Sequence, residues 1–145
     1  MIKIESVKSI NELIYFHSNY KFVIRVFSID ISRELGRILA NYNNNFLEVY
    51  ENYKTLLKKV FKLNPSHSKK VDVYFHIYGL IKHFLNENQR KNLLNLIEGF
   101  RNFKIDDRAI NNKFIEYLPY ISDEYKRQII LSFCIDEGQK PLNLQ

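Results

Sequence analysis

One run of the sequence gathers most of the residue types that could do chemistry: Lys69–Lys82, KKVDVYFHIYGLIK, followed by His83. Asp72, His76, Gly79 and His83 recur at helical spacing, which places them on one stripe of a helix. A carboxylate and imidazoles so spaced are the raw material of a metal site or of acid–base chemistry, and the glycine would leave room for a ligand. The plainer reading is a polar contact to another helix, with Gly79 allowing close packing. Asp72, His76 and His83 have no evident further ligand unless His67 or His17 comes from elsewhere. No metal or other cofactor is therefore expected.

Charge is the second candidate. Between Glu51 and Asp72 there is no acidic residue, while Lys54, Lys58, Lys59, Lys62, Lys69 and Lys70 are all present. Displayed on two helices and their connection, these lysines could neutralise phosphates and release counterions. Tyr and Phe rings nearby could stack on unpaired bases. A solvated helical face accounts for the same charges without a ligand.

The third candidate is Cys134, the single cysteine, set among Leu131, Phe133 and Ile135. A reactive thiol needs an electropositive, partly exposed setting, so a buried and inert cysteine is expected here. One cysteine can form no internal disulfide and cannot hold an iron–sulfur cluster, and it suits a reducing cytoplasm. The sequence has no Gly-rich phosphate loop, nucleophile elbow or zinc-finger spacing.

The elements that must position these residues are helical. The 145 residues include only four Gly and three Pro, too few for the tight turns of an all-β chain. Ten Tyr and eleven Phe, with no Trp, make the chain unusually rich in aromatic residues. The net charge of +6 favours acidic partners without bearing on fold. The charged N-terminal stretch has no long apolar core, so neither a signal peptide nor a membrane span is expected.

Ser9 with Glu12 predicts a capped first helix whose apolar side is Leu13, Phe16, Tyr20, Val23 and Phe27. Asp30 is expected to cap a second helix over 31–41, in which Gly36 costs about 1 kcal/mol relative to Ala. Asn45 with Glu48 opens the third, lined by Phe46, Tyr50, Tyr53, Leu57, Val60 and Phe61. Pro65 breaks the chain before the central helix, expected over 69–85. Asn86 with Gln89 caps the fifth helix, over 87–100. Asp106 or Asp107 starts the sixth, which ends near Leu118, and Ser122 caps the seventh, over 123–135. Residues 1–8 and the polar tail from Asp136 are expected to be irregular. The pattern predicts a single compact all-α domain of six or seven helices spanning 1–145.

Several runs follow one family pattern in order, from about His17 to Leu131: His17 with Lys21; Arg33-Glu34-Leu35-Gly36-Arg37; Val73, His76, Gly79 and Lys82; Arg101; and Tyr125 with Gln128. They resemble the H-x-x-Y/K-x-x-L, Y-R-E-L-G-R, N-V-x-x-H-x-x-G-Y-x-K and Y-L-x-x-Q segments of the YbgA-like family of uncharacterised helical domains. Ser32 replaces an aromatic of that pattern, Asp72 stands where Asn is usual and Leu80 where Tyr is usual. Residues 102–112 lack the family's G-x-x-P and further prolines. In many relatives the domain is fused to a thiouracil desulfurase domain that carries an iron–sulfur cluster. The resemblance therefore implies an accessory role that engages thiolated RNA such as transfer RNA, with the desulfurase-type enzyme encoded separately.

On that basis His17, Lys21, Arg33, Arg37, His76, Lys82, Arg101 and Gln128 are expected to converge on a basic groove around Gly36 and Gly79. Arg33 and Arg37 would hold phosphate in bidentate fashion. The competing expectation is that Arg33 and Glu34 belong to a salt-bridge network that fixes helix packing. The leading function is non-catalytic nucleic-acid binding, RNA in preference to DNA. A protein–protein adaptor with aromatic surfaces is the alternative, and an enzyme acting on a phosphorylated small molecule is a further one.

Overall fold

Ser9, Ser28, Asn45, Ser66, Asn86 and Asp106 each accept a hydrogen bond from a backbone N–H in the first turn of the helix that follows. These side chains divide the chain, whose computed structural model describes residues 3–135, into its elements. The helices are α1 (Ile10–Phe27), α2 (Ile29–Ala40), α3 (Phe46–Val60), α4 (His67–Ile81), α5 (Glu87–Arg101), α6 (Asp107–Tyr117) and α7 (Glu124–Ile135). Short 3-10 turns occupy Ile4–Ser6, Lys82–Phe84 and Leu118–Tyr120. The described residues include no strand, so the all-α expectation holds.

The boundaries differ from the sequence reading in places with a physical cause. Ser28, in extended conformation one residue past α1, caps α2 by accepting from Ile31 N–H. Asp30 therefore falls in the first turn, where its charge meets the positive end of the helix dipole. Ser66 starts α4 at His67, and the chain tightens into a 3-10 turn after Ile81 rather than continuing to Leu85. Asp123, not Ser122, accepts from Lys126 N–H at the start of α7. Ile4 and Val7 are buried, and Tyr50 donates its hydroxyl proton to Ile4 O at 2.7 Å, so the described part of the lead-in, residues 3–8, is held against the fold. The tail from Asp136 lies outside the described residues.

The core forms around α1 and α4. α1 is apolar around most of its circumference, with Leu13, Phe16, Tyr20, Val23 and Ile24 all buried, and such a helix must be surrounded. It packs against α2, α3, α4 and α7, while α4 packs against α1, α5 and α7. Ser66 N–H donates to Val26 O, and Phe22 stacks on His76, so α4 runs antiparallel to α1. On its inner side Tyr74 is fully buried against Phe100, Phe114 and Phe133. Its hydroxyl donates to Asn111 Oδ1 at 2.7 Å, which satisfies two buried polar groups at once. That inner face fixes the orientation of α4 and turns the stripe Asp72, His76, Gly79 outward.

Candidate functional site

The outward stripe of α4 is bordered by α1 on one side and α5 on the other. From α1, Arg25 donates through Nε and Nη2 to Asp72 Oδ2, at 3.3 and 3.2 Å. Arg25 Nη2 also lies 3.4 Å from His76 Nε2, and the His76 ring stacks on Phe22 with centroids 6.2 Å apart. Lys21 extends over the rings of Phe22 and Tyr125, and its ammonium donates to the Tyr125 hydroxyl at 3.4 Å. From α5, the Arg101 guanidinium lies 5.0 Å over the Phe75 ring and pairs with Glu98 at 3.0 Å. Lys82 is exposed in the turn that follows α4.

Gly79 lies along this stripe and is exposed. A Cβ built there would meet no heavy atom within 4 Å. Close helix packing therefore does not require a glycine at this position. The residue lowers helix stability by about 1 kcal/mol relative to Ala and leaves the α4 backbone open to approach from outside the chain. Asp72 and Glu98 are outnumbered here by Lys21, Arg25, Lys82 and Arg101, so the stripe carries a net positive charge. Arg25 separates Asp72 from any purely ligating role. Among the described residues no group of three or more His, Cys, Asp or Glu could hold a metal ion.

His17 belongs to a different setting. It lies at the junction of α1, α2 and α3, largely enclosed, with Nδ1 2.8 Å from the Tyr53 hydroxyl. Burial, with Lys21 one turn away adding to it, pushes the imidazole down to about 4, so it is neutral at physiological pH. Burial also raises the Tyr53 phenol, and the pair is a neutral hydrogen bond inside the fold. Gly36 faces this histidine: a Cβ there would stand 3.7 Å from His17 Nε2, an ordinary contact. Ser32 on the same edge of α2 donates to Lys21 O at 3.3 Å.

The remaining candidates spread over other surfaces. Arg33 is exposed on α2. Arg37 pairs with Glu34 at 2.7 Å and lines an open cleft of about 290 Å³ between α2 and α3, together with Asn41, Glu48 and Asn52. The Arg33–Glu34–Arg37 segment thus faces solvent rather than a buried network. Lys54 sits over Tyr50 and pairs with Glu51 at 3.1 Å. Lys58 and Lys59, in the last turn of α3, and Lys62, in the turn that follows, are exposed. Lys69 donates to Phe27 O at 3.4 Å, and Lys70 pairs with Asp107. Gln128 donates to Glu124 within α7. The structure brings Lys21, His76, Gly79, Lys82 and Arg101 to one surface, and of the basic run Lys69 alone, one turn before Asp72 and donating to the end of α1, borders it.

Sequence reasoning passed over Arg25, Phe22 and Phe75. Arg25 continues the four-residue spacing of His17 and Lys21 along α1, and that periodicity was the available signal. Phe22 and Phe75 carry no polar atom that would mark them as site residues. Cys134 is buried and free, and burial pushes its thiol up to about 12. No described helix is long and apolar enough to cross a membrane.

The family described as "Protein of unknown function (DUF1722)" matches residues 21–132. No curated protein and no solved structure matches the chain. The match extends over more than half of the sequence, and the chain belongs to this family.

Proposed function

We propose, with this family membership as the premise, that the protein is a YbgA-like domain that binds nucleic acid without catalysing a reaction, with RNA preferred over DNA. The observation that carries the reading is the exposed Gly79, which the fold's own packing does not need, on a stripe flanked by Arg101, Lys82, Lys21 and Arg25. An open helix backbone between cations admits a phosphodiester, and the overall charge of +6 draws polyanions to the surface. RNA, in particular thiolated transfer RNA, follows from the YbgA-like resemblance, as does action beside a desulfurase-type enzyme. Cys134, alone and buried, supplies no cluster chemistry of its own. A free thiol suits a reducing cytoplasm. An enzyme acting on a phosphorylated small molecule is less favoured, because His76 lies in the open with 48% of its side chain exposed.

The test is binding of the purified protein to bulk transfer RNA and to duplex DNA of equal length, at low and moderate salt. Tighter binding to RNA, falling steeply with salt, is expected. Arg101→Ala and Lys82→Ala should each weaken it and reduce the slope of log affinity against log salt by about 1. Failure to bind either nucleic acid at low salt would leave the cations as a solvated face and favour a protein adaptor.

A further inference from the structure

The end of α5 breaks two local rules at one residue. Lys104 N–H donates to Gly99 O at 2.8 Å and Phe103 N–H to Phe100 O at 3.0 Å, the paired bonds of a Schellman motif. The motif places Phe103 in the left-handed region, at φ 60°. Glycine is the usual occupant of that position, because a Cβ there crowds the backbone. Asn44 is the other non-glycine described with positive φ, and Asn tolerates the conformation where a bulky aromatic does not. Phe103 is also 77% exposed, so the ring is not placed there to fill the core.

What holds the ring is a stack. Phe103 lies on His67 with centroids 4.1 Å apart and planes inclined by 18°. His67 in turn lies against the buried Phe100 at 4.3 Å. His67 Nε2 is buried without a hydrogen-bond partner, so the imidazole acts here as a flat support between two rings. The inner face of Phe103 is covered and its outer face is open. The chain neighbours are basic: Arg101 and Lys104 are both exposed. The nearby carboxylates are already engaged, Asp106 by Arg108 and Asp107 by Lys70.

We infer that Phe103 is a stacking platform for an unpaired nucleobase, with Lys104 and Arg101 beside it to take the flanking phosphates. The inference rests on the nucleic-acid reading and deepens it, because a platform of this kind selects single-stranded over fully paired segments. His67 opens α4, the helix that carries Gly79 about 18 Å further along its axis, and Arg101 reaches from α5 over Phe75 between the two. Any base offers a face to an aromatic ring, so the platform reads strandedness rather than sequence.

The chain has no tryptophan, so Phe103→Trp introduces one fluorophore at the platform. Its emission should be quenched by a single-stranded RNA oligonucleotide and not by the corresponding duplex. Phe103→Leu should lower single-strand affinity roughly tenfold, leaving the salt slope and duplex affinity unchanged. Phe103→Gly suits the left-handed backbone, so it should bind as weakly as the Leu variant while melting no lower than the wild type. Wild-type single-strand affinity in the Leu and Gly variants, or unquenched tryptophan at saturating RNA, would overturn the platform alone. Absence of nucleic-acid binding by the wild type would overturn both the platform and the reading beneath it.

Discussion

His17 and His76 each stand near a glycine in the folded chain, and both were expected to line one basic groove. Their surroundings differ. His17 is enclosed between α1, α2 and α3, and its bond to Tyr53 and its contact with Gly36 use up the space around it. His76 is half exposed, shares Asp72 with Arg25, and lies one turn from a glycine whose outer side is empty. The first region spends its polar groups on the fold. The second leaves a backbone and several cations available to something outside it. Motif residues of one type can therefore serve architecture in one place and recognition in another, and partner geometry decides which.

Acid provides the strongest test of that difference. The folded state holds His17 near 4, below its ordinary 6.5, so between those values the unfolded chain binds a proton that the folded chain refuses. Stability is complete above about 6.5 and is lost as pH falls towards 4, by an amount on the order of 3 kcal/mol. Urea unfolding across this range should show the loss, and His17→Gln should flatten it. An equally steep profile in the variant would remove His17 from the enclosed region.

A smaller effect comes from its partner. Tyr53→Phe keeps the ring but leaves His17 Nδ1 without its bond, which should cost about 1–3 kcal/mol of unfolding free energy and lower the urea midpoint accordingly. His76→Ala, on the open side, should stay within about 0.5 kcal/mol of wild type in the same experiment. Equal losses from the two substitutions would abolish the contrast.

A modest effect in energy is the most informative about function. Gly79→Ala puts a methyl group into empty space, and helix propensity should raise stability by about 1 kcal/mol. Affinity for transfer RNA should fall in the same variant, because the methyl group stands where the ligand approaches. Unchanged affinity at raised stability would show that the glycine serves no external contact.

Much of the fold was legible in the sequence. Ser9, Asn45 and Asn86 cap their helices as their spacing predicts, and Asn86 with Gln89 completes a full capping box. These are contacts within three or four residues, so sequence separation already fixes the geometry. The α2 cap was missed because Ser28 and Asp30 are both good N-cap residues. The choice between them depends on where α1 stops. The exposed Phe103 was not legible at all, since a phenylalanine after an apolar helix reads as core, and only the backbone of the Schellman motif turns it outward.

The candidate site divides along the same line. Sequence alone determined that Asp72, His76 and Gly79 share a helical stripe, that lysines crowd the chain between Glu51 and Asp72, and that one cysteine can build no cluster. Periodicity and composition are properties of the chain and need no partner. Tertiary structure alone decided that Arg25 meets Asp72 across 47 residues and His17 meets Tyr53 across 36. It also decided that Lys70 is drawn to Asp107 and that the space beside Gly79 is empty. Whether a polar group is spent or available depends on what the packed helices bring within hydrogen-bond reach. Buried aromatic contacts far apart in the chain set that packing, and no local spacing encodes it.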